Sequence, residues 1–313
     1  MSLPQPPAPR VWRDLDQAQL DEAYDQRRHA PNMLEVLRRC ASSSEDVRAR
    51  LGAPERHAYG PSAIETLDLF RTAQPHAPVA VFLHGGAWRS GRAADYAFMA
   101  PLFVQTGVHL VLPDFTTVQD AGGSLMPMAD QVRRALAWVY RHAQQWGGNP
   151  DRLLVCGHSS GAHLAAVALT TDWSAFDLPR DLLKGGLCCS GMYELEPVRL
   201  SARSAYVAFD DEIEQALSPQ RHLAQLHAPL VLAFGTRETP EFQRQAQDFA
   251  AAVAAAGKPV ELLSAECNHF EILETLADPS GVLGSAMLRL MRLESSRTSI
   301  CTQGKVCISP CGL

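Results

Sequence analysis

The chain has 313 residues, 46% of them hydrophobic and 20% charged, which is ordinary for a globular protein and enough for one domain with a large core. Its 28 Lys+Arg against 34 Asp+Glu give a formal net charge of −6 without a basic cluster, which argues against a nucleic-acid partner. No apolar stretch approaches a membrane span, and the start Met1-Ser2-Leu3-Pro4-Gln5-Pro6-Pro7 lacks the apolar core of a signal peptide, so a cytoplasmic location is expected.

In chain order, Asp14 to Gln26 and Asn32 to Cys40 read as helices, Thr66 to Phe70 as extended, and Val79 to Leu83 as a buried strand. Helix Ala94 to Gln105 and strand Val108 to Leu112 follow. Met128 to Gln145 has amphipathic spacing, with Val132, Leu136, Val139 and Tyr140 on one stripe. Strands at Leu153 to Cys156, Gly185 to Cys189, Pro229 to Phe234 and Val260 to Leu263 alternate with helices at Pro240 to Ala256 and Val282 to Leu293. Such alternation demands a mainly parallel sheet with helices on both faces. We expect a single α/β domain over 1–294, a small helical cap at about 192–217 where the rhythm breaks, and a disordered tail at 295–313.

Two motifs carry chemistry. The first is His84-Gly85-Gly86-Ala87-Trp88, directly after the Val79 to Leu83 strand. The second, Gly157-His158-Ser159-Ser160-Gly161, lies between an apolar strand and an alanine-rich helix, the strand–turn–helix context of a nucleophile elbow. Glycines must flank the serine because side chains there would strike the neighbouring strand or helix. The order of the two motifs fits an α/β-hydrolase fold, with Ser159 as nucleophile and the N–H groups of Gly85 or Gly86 and of Ser160 as an oxyanion hole. His84 is expected to brace the loop, and Trp88 to pack beside it.

Serine needs a base and an orienting carboxylate, in the order serine, acid, histidine. Glu238 follows the Pro229 to Phe234 strand and His269 follows the Val260 to Leu263 strand, so both fall past carboxyl ends of strands, where open α/β sheets place their sites. His158 is locked in the elbow and His163 lies one helical turn on, so neither presents its ring to Ser159. His29, His57, His76 and His142 lie in polar surroundings, His222 and His227 flank a helix, and His109 begins a core strand. Among rival carboxylates, Asp210 and Asp211 sit in the cap, Asp248 is inside a helix, and Glu266 is too near His269 in sequence.

The chain resembles the kynurenine formamidases, or arylformamidases, from about Tyr24 to about Leu293. The resemblance rests on Tyr24-Asp25-Gln26-Arg27, the His84 to Trp88 loop, Gly157 to Leu164, Ser190 to Pro197, Glu238 to Gln245 and Asn268-His269-Phe270. It implies a triad of Ser159, Glu238 and His269, and N-formyl-L-kynurenine as substrate in tryptophan catabolism. That family usually has aspartate where Glu238 stands; glutamate serves in other α/β hydrolases. A carboxylesterase or aryl carbamate hydrolase with the same triad is the alternative, and a non-catalytic ligand-binding scaffold a more distant one.

Trp88, Arg89 and Tyr193 are the candidate substrate-binding residues, with Arg92 a second cation near the pocket and Phe115 to Gly123 along its wall. This chemistry requires no metal or organic cofactor. The expected partner is a small-molecule substrate, with neither nucleic acid nor membrane; a homodimer is left open. Of eight cysteines, Cys156, Cys188 and Cys189 read as reduced core residues, Cys40 ends a helical pattern, Cys267 neighbours the base, and Cys301, Cys307 and Cys311 fit no zinc spacing.

Overall fold

The computed structural model describes residues 8–292. A short antiparallel pair, β1 (Arg10–Trp12) and β2 (Leu15–Asp16), leads into α1 (Gln17–Ala23) and α2 (Met33–Leu51). Strands β3 (Glu55–Ala58), β4 (Thr66–Phe70), β5 (Ala77–Leu83) and β6 (His109–Pro113) follow, with α3 (Ala100–Gln105) before β6 and α4 (Met126–His142) after it. Next come β7 (Gly148–His158), α5 (Ser160–Leu169), β8 (Gly185–Cys189), α6 (Glu196–Leu200) and α7 (Asp211–Ala216). The rest is β9 (Leu230–Gly235), α8 (Pro240–Ala255), β10 (Val260–Ala265), α9 (Glu271–Glu274) and α10 (Val282–Arg292).

Among the described residues, eight strands form one sheet in the order β10-β9-β8-β7-β5-β6-β4-β3, parallel except at β3–β4 and β4–β6. Its two faces carry separate cores because strand side chains alternate. Val79, Val81 and Leu83 of β5 pack with α4, α5 and α8 on one face, while Ala80 and Phe82 pack with α2, α3 and α10 on the other. From β5 the chain moves outward to β6, then returns to place β7 on the opposite side. This reversal opens a crevice at the carboxyl ends of β5 and β7, the usual ligand position in an open α/β sheet.

Several expected elements change. Asp14 to Gln26 is not one helix: Leu15–Asp16 is extended, and a 3-10 turn at Gln26–His29 follows α1. Helix α2 continues eleven residues past Cys40 because Ser44, a weak helix former, finds partners: its Oγ donates to the Cys40 carbonyl (2.7 Å) and accepts from the Phe98 N–H (3.0 Å). Ala93–Met99 is 3-10 helix before α3, and α4 ends at His142, followed by a 3-10 turn. Strand β3 had no apolar alternation to reveal it, being an exposed edge. The expected tail at 295–313, with Cys301, Cys307 and Cys311, lies outside the described residues. No helix among the described residues is long and apolar enough to cross a membrane.

Candidate active site

Strand β7 delivers Ser159 at the tight bend into α5. Its backbone has φ 56° and ψ −124°, a strained conformation costing roughly 1–3 kcal/mol that persists only because its surroundings hold it. The Ser159 N–H donates to the Cys189 carbonyl at 2.8 Å, and its own carbonyl accepts from His163 at 3.1 Å, opening α5. A Cβ on Gly161 would overlap the carbonyl oxygens of Leu83 and His84, and one on Gly157 would overlap that of Gly161. The two flanking glycines thus let α5 close onto β5 and β7, bringing the helix N-terminus up to the serine.

The loop after β5 lies against this elbow. Gly86 (φ 124°), Ala87 (φ 55°) and Trp88 (φ 62°) form a left-handed run that turns the chain back on itself. Gly85 lies against His158 and Ser159. The Trp88 N–H donates to Ser160 Oγ (3.2 Å), and the buried Trp88 indole donates to His163 Nδ1 (3.2 Å). The main-chain N–H groups of Gly86 and Ser160 have no acceptor among the described residues, nor has that of Ala87, which sequence reasoning did not single out. His84 stacks on Phe115 at 4.3 Å, and burial lowers its pKa.

Ser159, His269 and Glu238 come together although they are far apart in the chain. Ser159 Oγ is 2.9 Å from His269 Nε2, and His269 Nδ1 is 3.0 Å from Glu238 Oε2. The other Glu238 oxygen accepts from Ser190 Oγ and the Gly235 N–H, each at 2.6 Å. A fully buried carboxylate is thereby satisfied on both oxygens, and it holds Nδ1 as the protonated nitrogen, leaving Nε2 free to accept from serine. The rival acids are engaged elsewhere. Asp210 caps α7, Asp211 pairs with Arg199, Asp248 with Arg244, and Glu266 with Arg237.

Further contacts hold His269 in place. His158 does not reach the serine oxygen; its Nε2 donates to the His269 carbonyl at 2.7 Å, and burial, with the nearby His269 ring, pushes its pKa down to about 3. His163 donates to the Leu217 carbonyl and is pushed by burial to about 4. Asn268 Oδ1 accepts from the N–H groups of Phe270 and Glu271, and its amide donates to Asn32. Gln26 and Thr239 exchange hydrogen bonds, which ties the Tyr24 to Arg27 motif to the loop bearing Glu238. Ser190, at the end of β8, was not recognised from sequence as a partner of the acid; its place just past a buried strand was the available signal.

Gly85, Gly86, Ser159 and His269 line a cavity of about 1350 Å³. The expected cap contributes Ala202, Arg203, Ala205 and Tyr206, and the N-terminal segment from Ala18 to Ala41 forms much of the remaining wall. Arg89 lines the cavity, whereas Arg92 does not. Two expectations need correction. Trp88 and Tyr193 are buried core residues outside the lining, Trp88 tied to His163 and Tyr193 stacked on Phe249 at 4.5 Å. Of Phe115 to Gly123, Gln119 alone reaches the cavity.

A family model described as BD-FAE matches residues 67–182. The kynurenine formamidase of Danio rerio is 29% identical, with 90% of this chain and 98% of that protein covered, and that of Salmo salar is similar to the same extent. Among solved structures, a proposed thioesterase from a Silicibacter species superimposes with a TM-score of 0.75 at 23% identity, covering 86% of this chain and 99% of that one. Esterase LipW from Mycobacterium marinum does so with a TM-score of 0.66 at 18% identity, covering 87% and 90%. The chain has the α/β-hydrolase fold, is similar to the kynurenine formamidases along nearly its whole length, and is a hydrolase of the α/β-hydrolase type.

Proposed function

We propose that the protein is a serine hydrolase that cleaves an aryl formamide, with N-formyl-L-kynurenine as substrate and L-kynurenine and formate as products. The observation that carries this reading is the Ser159–His269–Glu238 chain at 2.9 and 3.0 Å, in a protein similar to kynurenine formamidases over 90% of its length. His269 Nε2 takes the Ser159 proton as Oγ attacks the formyl carbon, and the oxyanion is held by the N–H groups of Gly86 and Ser160, each donor contributing on the order of 3 kcal/mol. His269 then gives its proton to the aryl nitrogen as the C–N bond breaks, leaving a formyl ester on Ser159. Water, deprotonated by the same imidazole, attacks that ester and releases formate. Glu238 stabilises the imidazolium formed in both steps.

An arylformamide suits esterase-like equipment. Its nitrogen lone pair is shared with the ring, which weakens amide resonance, and formyl is the least hindered acyl carbon. The esterase fold neighbours favour a second reading, a carboxylesterase using the same residues. Wild type and Ser159→Ala, assayed on N-formyl-L-kynurenine by kynurenine absorbance beside short-chain and longer-chain nitrophenyl esters, separate the two. Efficient formamide turnover that the substitution abolishes supports the formamidase; turnover of esters alone supports the carboxylesterase.

A further inference from the structure

Four arginines share the cavity with Ser159: Arg27, Arg28, Arg89 and Arg203. Two have acidic partners. Arg27 grips both oxygens of Asp25 at 2.8 and 2.6 Å, and Arg28 holds Glu22 at 2.8 Å. Arg203 has no carboxylate within ion-pair distance among the described residues; Asp25 senses its charge at longer range but is occupied by Arg27. The contacts of Arg203 are neutral. Nη1 donates to the Tyr206 hydroxyl (2.9 Å), Nη2 donates to the Tyr24 carbonyl (3.0 Å), and Nε is shut away from solvent without a partner.

Its position relates this cation to the chemistry. The guanidinium carbon lies 5.5 Å from the Trp88 ring, which ends the oxyanion loop, and 5.9 Å from the Phe242 ring. Phe242 in turn meets the His269 imidazole edge-on at 5.0 Å. Arg89, also without an acidic partner among the described residues, lies over the Tyr206 ring at 4.7 Å. A half-buried cation without a counter-ion is costly to maintain, and a planar guanidinium beside aromatic rings matches the geometry of a carboxylate.

We propose that Arg203, supported by Arg89, determines specificity for aryl substrates that carry a carboxylate, binding that group while the scissile acyl carbon lies at Ser159. The inference rests on the acyl-transfer reading of Ser159, His269 and Glu238, and it holds for an ester as well as for a formamide. Its test is the ratio of kcat/KM for 4-acetoxybenzoate to that for 4-acetoxybenzamide, acetate esters in which a carboxylate is replaced by a neutral group of the same size, in wild type, Arg203→Met, Arg203→Lys and Arg89→Met. The ratio should fall about 30-fold in Arg203→Met, through KM, less in Arg89→Met, and recover partly in Arg203→Lys. A purely structural Arg203 would depress both esters together, and an unchanged ratio overturns the proposal. Loss of the ratio in an enzyme that ignores N-formyl-L-kynurenine would leave Arg203 as the carboxylate residue and remove the formamide reading alone. In wild type, benzoate should inhibit ester hydrolysis more tightly than benzamide; equal inhibition also overturns the proposal.

Discussion

The Ser159–His269–Glu238 centre and the cavity wall are built on opposite principles. At the centre, Ser159, Ser190, Glu238 and His269 each stand just past the end of a different strand, β7, β8, β9 and β10, and the acid is satisfied on both oxygens. The wall comes mostly from segments outside the sheet, residues 18–41 and 202–206, with side chains more exposed; of its arginines, Arg203 and Arg89, the latter in the loop after β5, have no acidic partner among the described residues. A sheet edge fixes angles and distances, as bond making requires; peripheral helices and turns can vary in charge and shape without disturbing that edge.

Substitutions at the centre should therefore act on kcat and those in the wall on KM. The largest effect is expected for Ser159→Ala, a loss of at least about 10⁴-fold in kcat, with circular dichroism and melting unchanged. Glu238→Gln should cost about 10³–10⁴-fold, because an amide no longer enforces the proton on Nδ1 or stabilises the imidazolium. Glu238→Asp draws the carboxylate back by roughly one bond length, and about 10²-fold is expected from that misplacement. His158→Gln should lower kcat about tenfold by loosening the His269 carbonyl, with KM little altered. If any of these acted on KM alone, the division between the two regions would fail.

The centre was far more legible in the sequence than the wall, for physical reasons. Buried parallel strands are short apolar runs, so β5, β7, β8 and β9 stood out, and the turns after them carry residue types that only special geometry explains, such as the paired glycines around Ser159. The wall has no such signature. Arg203 lies in a polar stretch of 3-10 turns without periodicity, and only the fold brings it against Trp88 and Phe242. Trp88 and Tyr193 misled in the other direction: they adjoin site residues in sequence but point into the core. The continuation of α2 depended on tertiary partners of Ser44 that local propensity cannot supply.

The smallest expected effect is one of stability. Burial holds the pKa of His158 at about 3 and of His163 at about 4. Below the unfolded value of about 6.5 the unfolded chain takes up protons that the folded one refuses. The stability linked to these groups is thus fully present above that value, and falls as the pH drops by up to about 1.4 kcal/mol per pH unit for each. Urea unfolding between about pH 7 and 5 should show this slope, and His163→Gln should flatten it whatever its effect on the absolute midpoint. An unchanged slope would mean that His163 is not held neutral by the fold.

The central claim is that a single serine at the β7–α5 bend performs the hydrolysis. Titration with an organophosphonate, peptide mapping of the adduct, and parallel assay of N-formyl-L-kynurenine and nitrophenyl ester hydrolysis test it most directly. The account predicts one adduct, on Ser159, with both activities falling in proportion to its formation. Formamide hydrolysis that survives complete labelling of Ser159, or an adduct on another residue that tracks the loss, would contradict it.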